Sequence, residues 1–459
     1  MPNWLKTTGR SPIVLCYGQT RMSPQSNYPP NSAALELDLP TSIQMRRRPA
    51  VGVPQFTHAR DSHARWVRAV NGMFGSFAPV GRPSADIWWE RAQRLNPTAG
   101  DPTPETRAAL EALTQSLNDD AALNFIGKIA AWLDCGRMAA THLRIEQALR
   151  ETPEIAATEL PPPVFVLGLF RSGTTILHRL LGEDPDNRTL PHWESFDPVH
   201  TPEGPEPRQR KLAGFLRLAD IVSPNIKAIH PMDAYQTDEC RGMFTNVFRT
   251  PQFNVQYRVG GYVNWLLAQD ATIAYRHHRR QLQLVHHHRP YGKRFVLKDP
   301  THTFFVDAIL EVFPNARFLF IHRDPVETLS SICSLHAYAR SVFSGDVDAH
   351  AIGAEISDSY LLRLLEPAVE AVDRLPAGRV AHIRAPDLSR DAVGTIAAAY
   401  RTLGMELGAE ARVAMHEYMR AKREHPSPRH IHTSEGFGLD PAAIHERFAS
   451  YCTRFDLLA

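Results

Sequence analysis

One stretch constrains this chain more than any other: Val164-Phe-Val-Leu-Gly168-Leu-Phe-Arg171-Ser-Gly173-Thr174-Thr175. An unbroken apolar run such as Val164–Leu169 is what a strand buried on both faces of a parallel sheet requires. Two glycines then mark a turn, and Thr174–Leu181 continues with helical spacing. The first N–H groups of a helix lack carbonyl partners, and its dipole adds positive potential there, so the turn favours an anion. Arg171 and the hydroxyls around Gly173 supply further donors. The competing reading is a strand–helix turn in which Gly and Thr act only as caps.

The same alternation recurs downstream. Arg294–Leu297, Arg317–His322 and Arg379–Arg384 are strand-like, and Val326–Ala339 and Arg390–Leu403 are helix-like. Strands alternating with helices predict a parallel sheet covered on both sides, a three-layer α/β/α fold of about four or five strands. Residues 1–45, rich in Pro, Ser, Asn and Thr, read as a leader without fixed structure. Residues 46–160 read as a helical subdomain, with Leu123, Phe125, Ile126, Ile129, Ala130 and Leu133 on or near one stripe. The remaining 161–459 form the α/β domain, interrupted by a helical cap over 196–293 and ending in a tail over 425–459.

Charge narrows the function. With 51 Lys and Arg against 49 Asp and Glu, the chain lacks the basic excess of a protein that coats nucleic acid. Its five cysteines, Cys16, Cys135, Cys240, Cys333 and Cys452, lie far apart and read as free thiols in a reducing compartment. No apolar run approaches the roughly 20 residues that cross a bilayer. No signal-peptide pattern opens the chain, so a cytoplasmic protein is expected.

The glycine spacing at 168 and 173 is that of a nucleoside-triphosphate loop, but the lysine that should follow the second glycine is Thr174. The cation stands before the glycine instead, as Arg171. A magnesium-bound triphosphate is poorly served by that arrangement; a phosphosulfate, with less charge and no need of a metal, fits better. A second anion site is predicted at Phe318–Pro325, where a strand ends in Arg323 and the following helix carries Ser330 and Ser331. Ligands of open parallel sheets bind beyond such strand ends, and an arginine grips a phosphate bidentately. The alternative is a structural pairing of Arg323 with Asp324 or Glu327.

Together the two segments resemble the 5′-phosphosulfate loop and 3′-phosphate motif of sulfotransferases that use 3′-phosphoadenosine 5′-phosphosulfate (PAPS). Within that superfamily the chain resembles the bacterial-type branch related to tyrosylprotein sulfotransferase. The similarity covers most of residues 110–459 and includes Trp193-Glu194, the Pro-Met-Asp-Ala-Tyr-Gln-Thr-Asp-Glu239-Cys stretch, Lys298-Asp-Pro300 and the tail from Glu435. It implies a P-loop-like fold and PAPS as co-substrate, with no metal. It also implies that Arg171, Ser172, Gly173, Thr174 and Thr175 hold the 5′-phosphosulfate, while Arg323 and Ser331 hold the 3′-phosphate. The tail departs from many relatives, having His432-Thr433-Ser434 where they carry a tyrosine.

Sulfuryl transfer needs a base for the acceptor hydroxyl and cations near the bridging oxygen. Glu194 is the expected base, because related enzymes place a glutamate there and Trp193 would dry the site. His302, four residues after Lys298, is the rival base. Lys298, at a strand end, is expected to stabilise the transferring group; its alternative is a salt bridge to Asp299 or Asp307. Arg171 is expected to share in catalysis. His230 and Glu239 are expected in the acceptor pocket. The histidines at 277–278 and 286–288 point different ways on one helix, so a solvated helix face is expected rather than a metal site. The acceptor is open among small-molecule, lipid, carbohydrate and peptide hydroxyls or amines. The alternatives are a kinase using ATP and a nucleotide-binding protein without turnover.

Overall fold

A computed structural model describes residues 65–75, 81–224, 229, 232–345, 347–424 and 432–458. The expected leader, 1–45, and His230 lie outside the described residues. Five strands form one parallel sheet: β1 (Pro163–Leu167), β2 (Asn187–Arg188), β3 (Arg294–Lys298), β4 (Arg317–His322) and β5 (Val380–Arg384), in the order β2-β3-β1-β4-β5. β1 is central, and all five of its residues are buried. Its register sets Val166 beside Lys298 and Leu167 beside Phe320, so the ends of β1, β3 and β4 meet at one edge. β2 escapes a sequence reading because two residues carry no periodicity.

Strand side chains alternate between the two sheet faces. Phe165, Leu167, Phe295, Leu297 and Phe318 join one buried cluster, and Val164, Val166, Val296, Leu319 and Ile321 join another. The helices named next are α1 (Arg65–Phe74), α2 (Ala85–Leu95), α3 (Pro104–Asp119), α4 (Phe125–Glu151), α5 (Thr174–Leu181), α6 (His192–Phe196), α7 (Glu206–Val222), α8 (Thr272–His288), α9 (Pro325–Phe343), α10 (Ala392–Thr402) and α11 (Ala409–Glu424). The second cluster is completed by α5, α10 and α11, through Leu177, Ile396 and Met415. The first extends into α2, α3 and α4, where Trp88, Leu113 and Met138 share it, so these helices have no separate core.

The histidine-rich helix α8 differs from expectation. His277 and His278 are buried, and His278 stacks on Phe244 at 4.9 Å; only His287 and His288 are exposed. The face expected in solvent packs inward because α8 lies against the sheet with Leu282 and Val285 in the core. Among the described residues no cluster of three or more His, Cys, Asp or Glu is placed to hold a metal. None of the described helices is long and apolar enough to cross a membrane.

α4 is seated on the end of α9 by Asn124. Its side chain caps α4 by accepting from Gly127 N–H at 2.8 Å and donates to the carbonyls of Val342 and Ser344 at 3.0 and 2.8 Å. Gly127 lies so close to the Phe343 carbonyl that a Cβ there would collide with backbone. Gly136, in the same helix, would meet only the Trp88 ring at 3.5 Å. Gly127→Ala is therefore expected to destabilise the protein by about 1–3 kcal/mol through overpacking. Gly136→Ala should be neutral or stabilise by up to about 1 kcal/mol through helix propensity. Urea unfolding midpoints at unchanged slope check both; equal effects would contradict this account of how α4 is seated.

Candidate active site

The turn after β1 is built on backbone that side chains seldom adopt. Gly168 has φ 149°, Arg171 68° and Gly173 104°. A Cβ at Gly168 would meet the Ile321 carbonyl oxygen at 2.8 Å, so only glycine lets the turn pass the end of β4. α5 then opens at Gly173 with no side-chain cap, leaving its first N–H groups directed at the sheet edge. A non-glycine residue in the left-handed region costs roughly 1–3 kcal/mol and persists where the surroundings enforce it, commonly at functional sites.

Arg171 is held by its side chain. Its Nε donates to Ser331 Oγ at 3.0 Å and its Nη1 to the Ile229 carbonyl at 3.0 Å. Arg323 Nη1 donates to the Arg171 carbonyl at 3.1 Å, and its Nε to Glu327 Oε2 at 2.7 Å. The two predicted anion sites are thus one continuous basic surface, with Ser331 shared between them. Burial, with Arg323 nearby, pulls Arg171 below its ordinary pKa. The tail reaches the same surface: His432 Nδ1 lies 2.9 Å from Ser330 Oγ, and burial with both arginines beside it lowers the His432 pKa.

Ser172 is placed differently from expectation. It is buried, and its Oγ and backbone N–H both donate to the Leu169 carbonyl, at 2.7 and 3.1 Å. Its hydroxyl closes the turn instead of facing a ligand. Gly173, Thr174 and Thr175 line a cavity of about 1370 Å³, together with Arg171, Arg323 and Ser331.

At the foot of that cavity stands Glu239. Its Oε1 accepts from Lys298 Nζ at 2.6 Å, and Lys298 Nζ also donates to Thr175 Oγ1 at 3.2 Å. Lys298 is buried just behind the two residues it contacts, both of which line the cavity. Long-range backbone pairing makes this meeting possible. The segment before Glu239 runs beside 190–193, with Trp193 N–H donating to Ala234 and Asp238 N–H to Leu190. Cys240 N–H then donates to the Lys298 carbonyl at 2.8 Å, which fixes Glu239 at the end of β3.

Neither expected base reaches the cavity. Glu194, on α6, is buried, with Oε2 3.6 Å from Arg188 and Oε1 3.6 Å from Arg289, and it does not line the cavity. A five-residue helix turns His192 and Phe196 toward the cavity and Glu194 away from it. His302 is wholly buried against Phe165, its Nδ1 2.9 Å from Tyr275 Oη. Burial and His278 hold its pKa well below the usual histidine value, and it too is absent from the lining. Sequence reading also missed Arg137, Arg241 and Gln252 in the cavity wall, where His432 of the tail joins them. The stretch ending in Glu239-Cys240, which carries part of the family resemblance, lies next to Arg241.

Asp299 lies one residue beyond Lys298 and is fully buried. It accepts from Gln252 Nε2 at 2.7 Å, Thr301 N–H at 2.9 Å and Thr301 Oγ1 at 2.6 Å. Burial, then the Glu239 carboxylate, push its pKa up to about 6.

Residues 162–409 match the model of the sulfotransferase family, just over half the chain, and the chain belongs to that family. It is 29% identical over 259 residues to omega-hydroxy-beta-dihydromenaquinone-9 sulfotransferase Stf3 of Mycobacterium bovis and, equally, of Mycobacterium tuberculosis. That match takes in 53% of this chain and 63% of the relatives' length, so the chain spans less than two thirds of the curated proteins it resembles. Sulfotransferase STF1 from Mycobacterium tuberculosis H37Rv is similar at 28% identity and TM-score 0.68, over 80% of this chain and 99% of that one. Sulfotransferase STF9 from Mycobacterium avium, at 23% identity and TM-score 0.72 over 82% of this chain and 97% of its own, shares the fold.

The raised Asp299 pKa sets a pH dependence. An acid whose folded pKa exceeds its unfolded value contributes stability below the unfolded pKa, and that contribution is lost as pH rises through the folded one. Wild type should therefore lose stability relative to Asp299→Asn between the ordinary value of 3.8 and about 6, then hold a constant difference. Urea midpoints of both proteins across that range check it; a gap that does not change with pH would refute the assignment.

Proposed function

We propose that this protein transfers the sulfuryl group of PAPS to a hydroxyl borne by a long apolar acceptor, with Glu239 as general base. The observation that carries this reading is the Thr175–Lys298–Glu239 chain of hydrogen bonds where the turn after β1 meets a largely apolar cavity. The curled backbone at 171–175, two arginines and Ser331 suit a nucleotide phosphorylated at both ends. Successive backbone N–H groups and a helix start offer many donors without a metal. PAPS would supply a sulfuryl group on a good phosphate leaving group; the protein supplies position, charge and a proton acceptor.

Glu239 takes the acceptor hydroxyl's proton at its carboxylate as the oxygen attacks. Lys298 orients that carboxylate through its 2.6 Å contact and, beside Thr175 at the opening of α5, offsets charge on the departing oxygen. Arg171, held by Ser331, keeps the left-handed turn in place and offsets charge on the equatorial oxygens.

The lining of the cavity supports one acceptor class. Its volume of about 1370 Å³ exceeds the roughly 300–1,000 Å³ common for one small ligand, leaving room for donor and acceptor together. Much of its lining is apolar: Ile126, Ile129, Ala130 and Leu133 from α4, Leu216, Leu218 and Val222 from α7, and Leu335 and Val342 from α9. This composition favours a lipid-like alcohol over a sugar or a peptide, and Stf3 bears the name of a menaquinone sulfotransferase.

Glu239→Gln should lower turnover about 10²–10⁴-fold while leaving affinity for adenosine 3′,5′-bisphosphate unchanged. Full activity in Glu239→Gln with loss in Glu194→Gln would return the base to α6. Across a series of primary alcohols, kcat/KM should rise with chain length, by up to about fourfold per buried methylene, from the ~0.8 kcal/mol gained on burying each. A series without length dependence would remove the lipid-like acceptor.

A further inference from the structure

The cavity opens through side chains that are apolar and in water at once. Trp66, Leu133, Phe215 and Leu218 all line it, yet they are 43, 54, 41 and 54% exposed. A soluble protein gains nothing by ringing a cavity mouth with such residues, and contiguous exposed apolar patches mark interaction sites. Ile221, 58% exposed, extends the rim one turn along α7 from Leu218.

The charge on α7 says what covers this rim. Its exposed face carries Arg210, Lys211 and Arg217 between Phe215, Leu218 and Ile221, and no exposed carboxylate. At 100° per residue these six side chains fall within an arc of about 160°, while Leu212 and Leu216 point into the protein beneath. Lys211 lies 3.6 Å from Asp197, but no ion pair among the described residues engages Arg210 or Arg217. Cations interleaved with Phe, Leu and Ile on a helix lying along a surface are the pattern of a segment resting in a bilayer interface. Anionic headgroups complement the cations, and hydrocarbon meets the apolar rim.

We propose that the α7 face and the cavity mouth dock on an anionic lipid surface, so that an apolar acceptor passes from the bilayer into the cavity without crossing water. This rests on the acceptor class argued above, but the surface can be tested without turnover. Near an anionic membrane each Lys or Arg contributes about a fivefold gain in partition. A second copy of the chain is a less fitting occupant, because two copies would bring like-charged faces together.

The test is co-sedimentation of the full-length protein with vesicles of phosphatidylcholine alone and of phosphatidylcholine with phosphatidylglycerol. Wild type should bind the anionic vesicles at least tenfold better, and 0.5 M salt should weaken that binding. The Arg210→Gln/Arg217→Gln double variant should lose roughly 25-fold in partition, and Ile221→Ser should lose binding at both salt concentrations. None of the three changed residues lines the cavity, so affinity for adenosine 3′,5′-bisphosphate, measured in parallel, should match wild type and report an intact fold. Equal binding of wild type to the two vesicle types, or wild-type partition in the double variant, would overturn the proposal. So would a dimer in sedimentation velocity that Ile221→Ser dissociates, since a second copy would then cover the rim. Vesicle binding without affinity for the bisphosphate would keep the docking surface and remove the sulfuryl-transfer reading.

Discussion

Everything at the site follows from how the chain leaves the central strand. β1 is buried on both faces, so the turn after it must pass between neighbouring strand ends. It does so with positive φ at Gly168, Arg171 and Gly173. That path aims the open start of α5 at the sheet edge and turns the Arg171 side chain toward Ser331. The strain of a left-handed arginine is offset by hydrogen bonds to Ser331 and Ile229 and by Arg323 on its carbonyl. Basic surface and strained turn are one construction.

A second constraint is the parallel register. By setting Val166 beside Lys298, it delivers the lysine to the same edge as the turn. The Cys240–Lys298 backbone bond then brings in Glu239 from a segment 59 residues earlier than its lysine partner. A carboxylate in contact with a buried ammonium would be idle as a structural pair. Here both residues also touch the cavity or its lining, at the opening of a helix.

How much of this the sequence disclosed depends on the range of the forces involved. β1 and β4 were legible because burial on both faces writes an unbroken apolar run, and the turn was legible because positive φ selects glycine. β2 was not, since two residues have no period. Glu194 and Glu239 look alike locally: each is a carboxylate beside an apolar neighbour, Trp193 or Cys240. Only pairing across the fold decides that Glu194 is clamped by Arg188 and Arg289 while Glu239 meets Lys298. His277 and His278 are buried where a solvated face is expected, because histidine composition says nothing about which helix face is covered. The apolar stripe of α4 was visible as a stripe, but periodicity is the same for a face on a core and a face on a cavity. Ile126, Ile129 and Leu133 turn out to line the cavity.

We propose that the turn after β1 and the Arg323–Ser331 pair grip the two phosphate ends of one adenosine nucleotide. Calorimetric titration of the wild-type protein with adenosine 3′,5′-bisphosphate and with adenosine 5′-monophosphate tests it most directly. One bisphosphate should bind per chain without added metal. Loss of the 3′-phosphate should weaken binding roughly tenfold to hundredfold, the contribution of a charged hydrogen-bonded contact. Equal affinity for the two nucleotides, or no heat with either, would contradict the account.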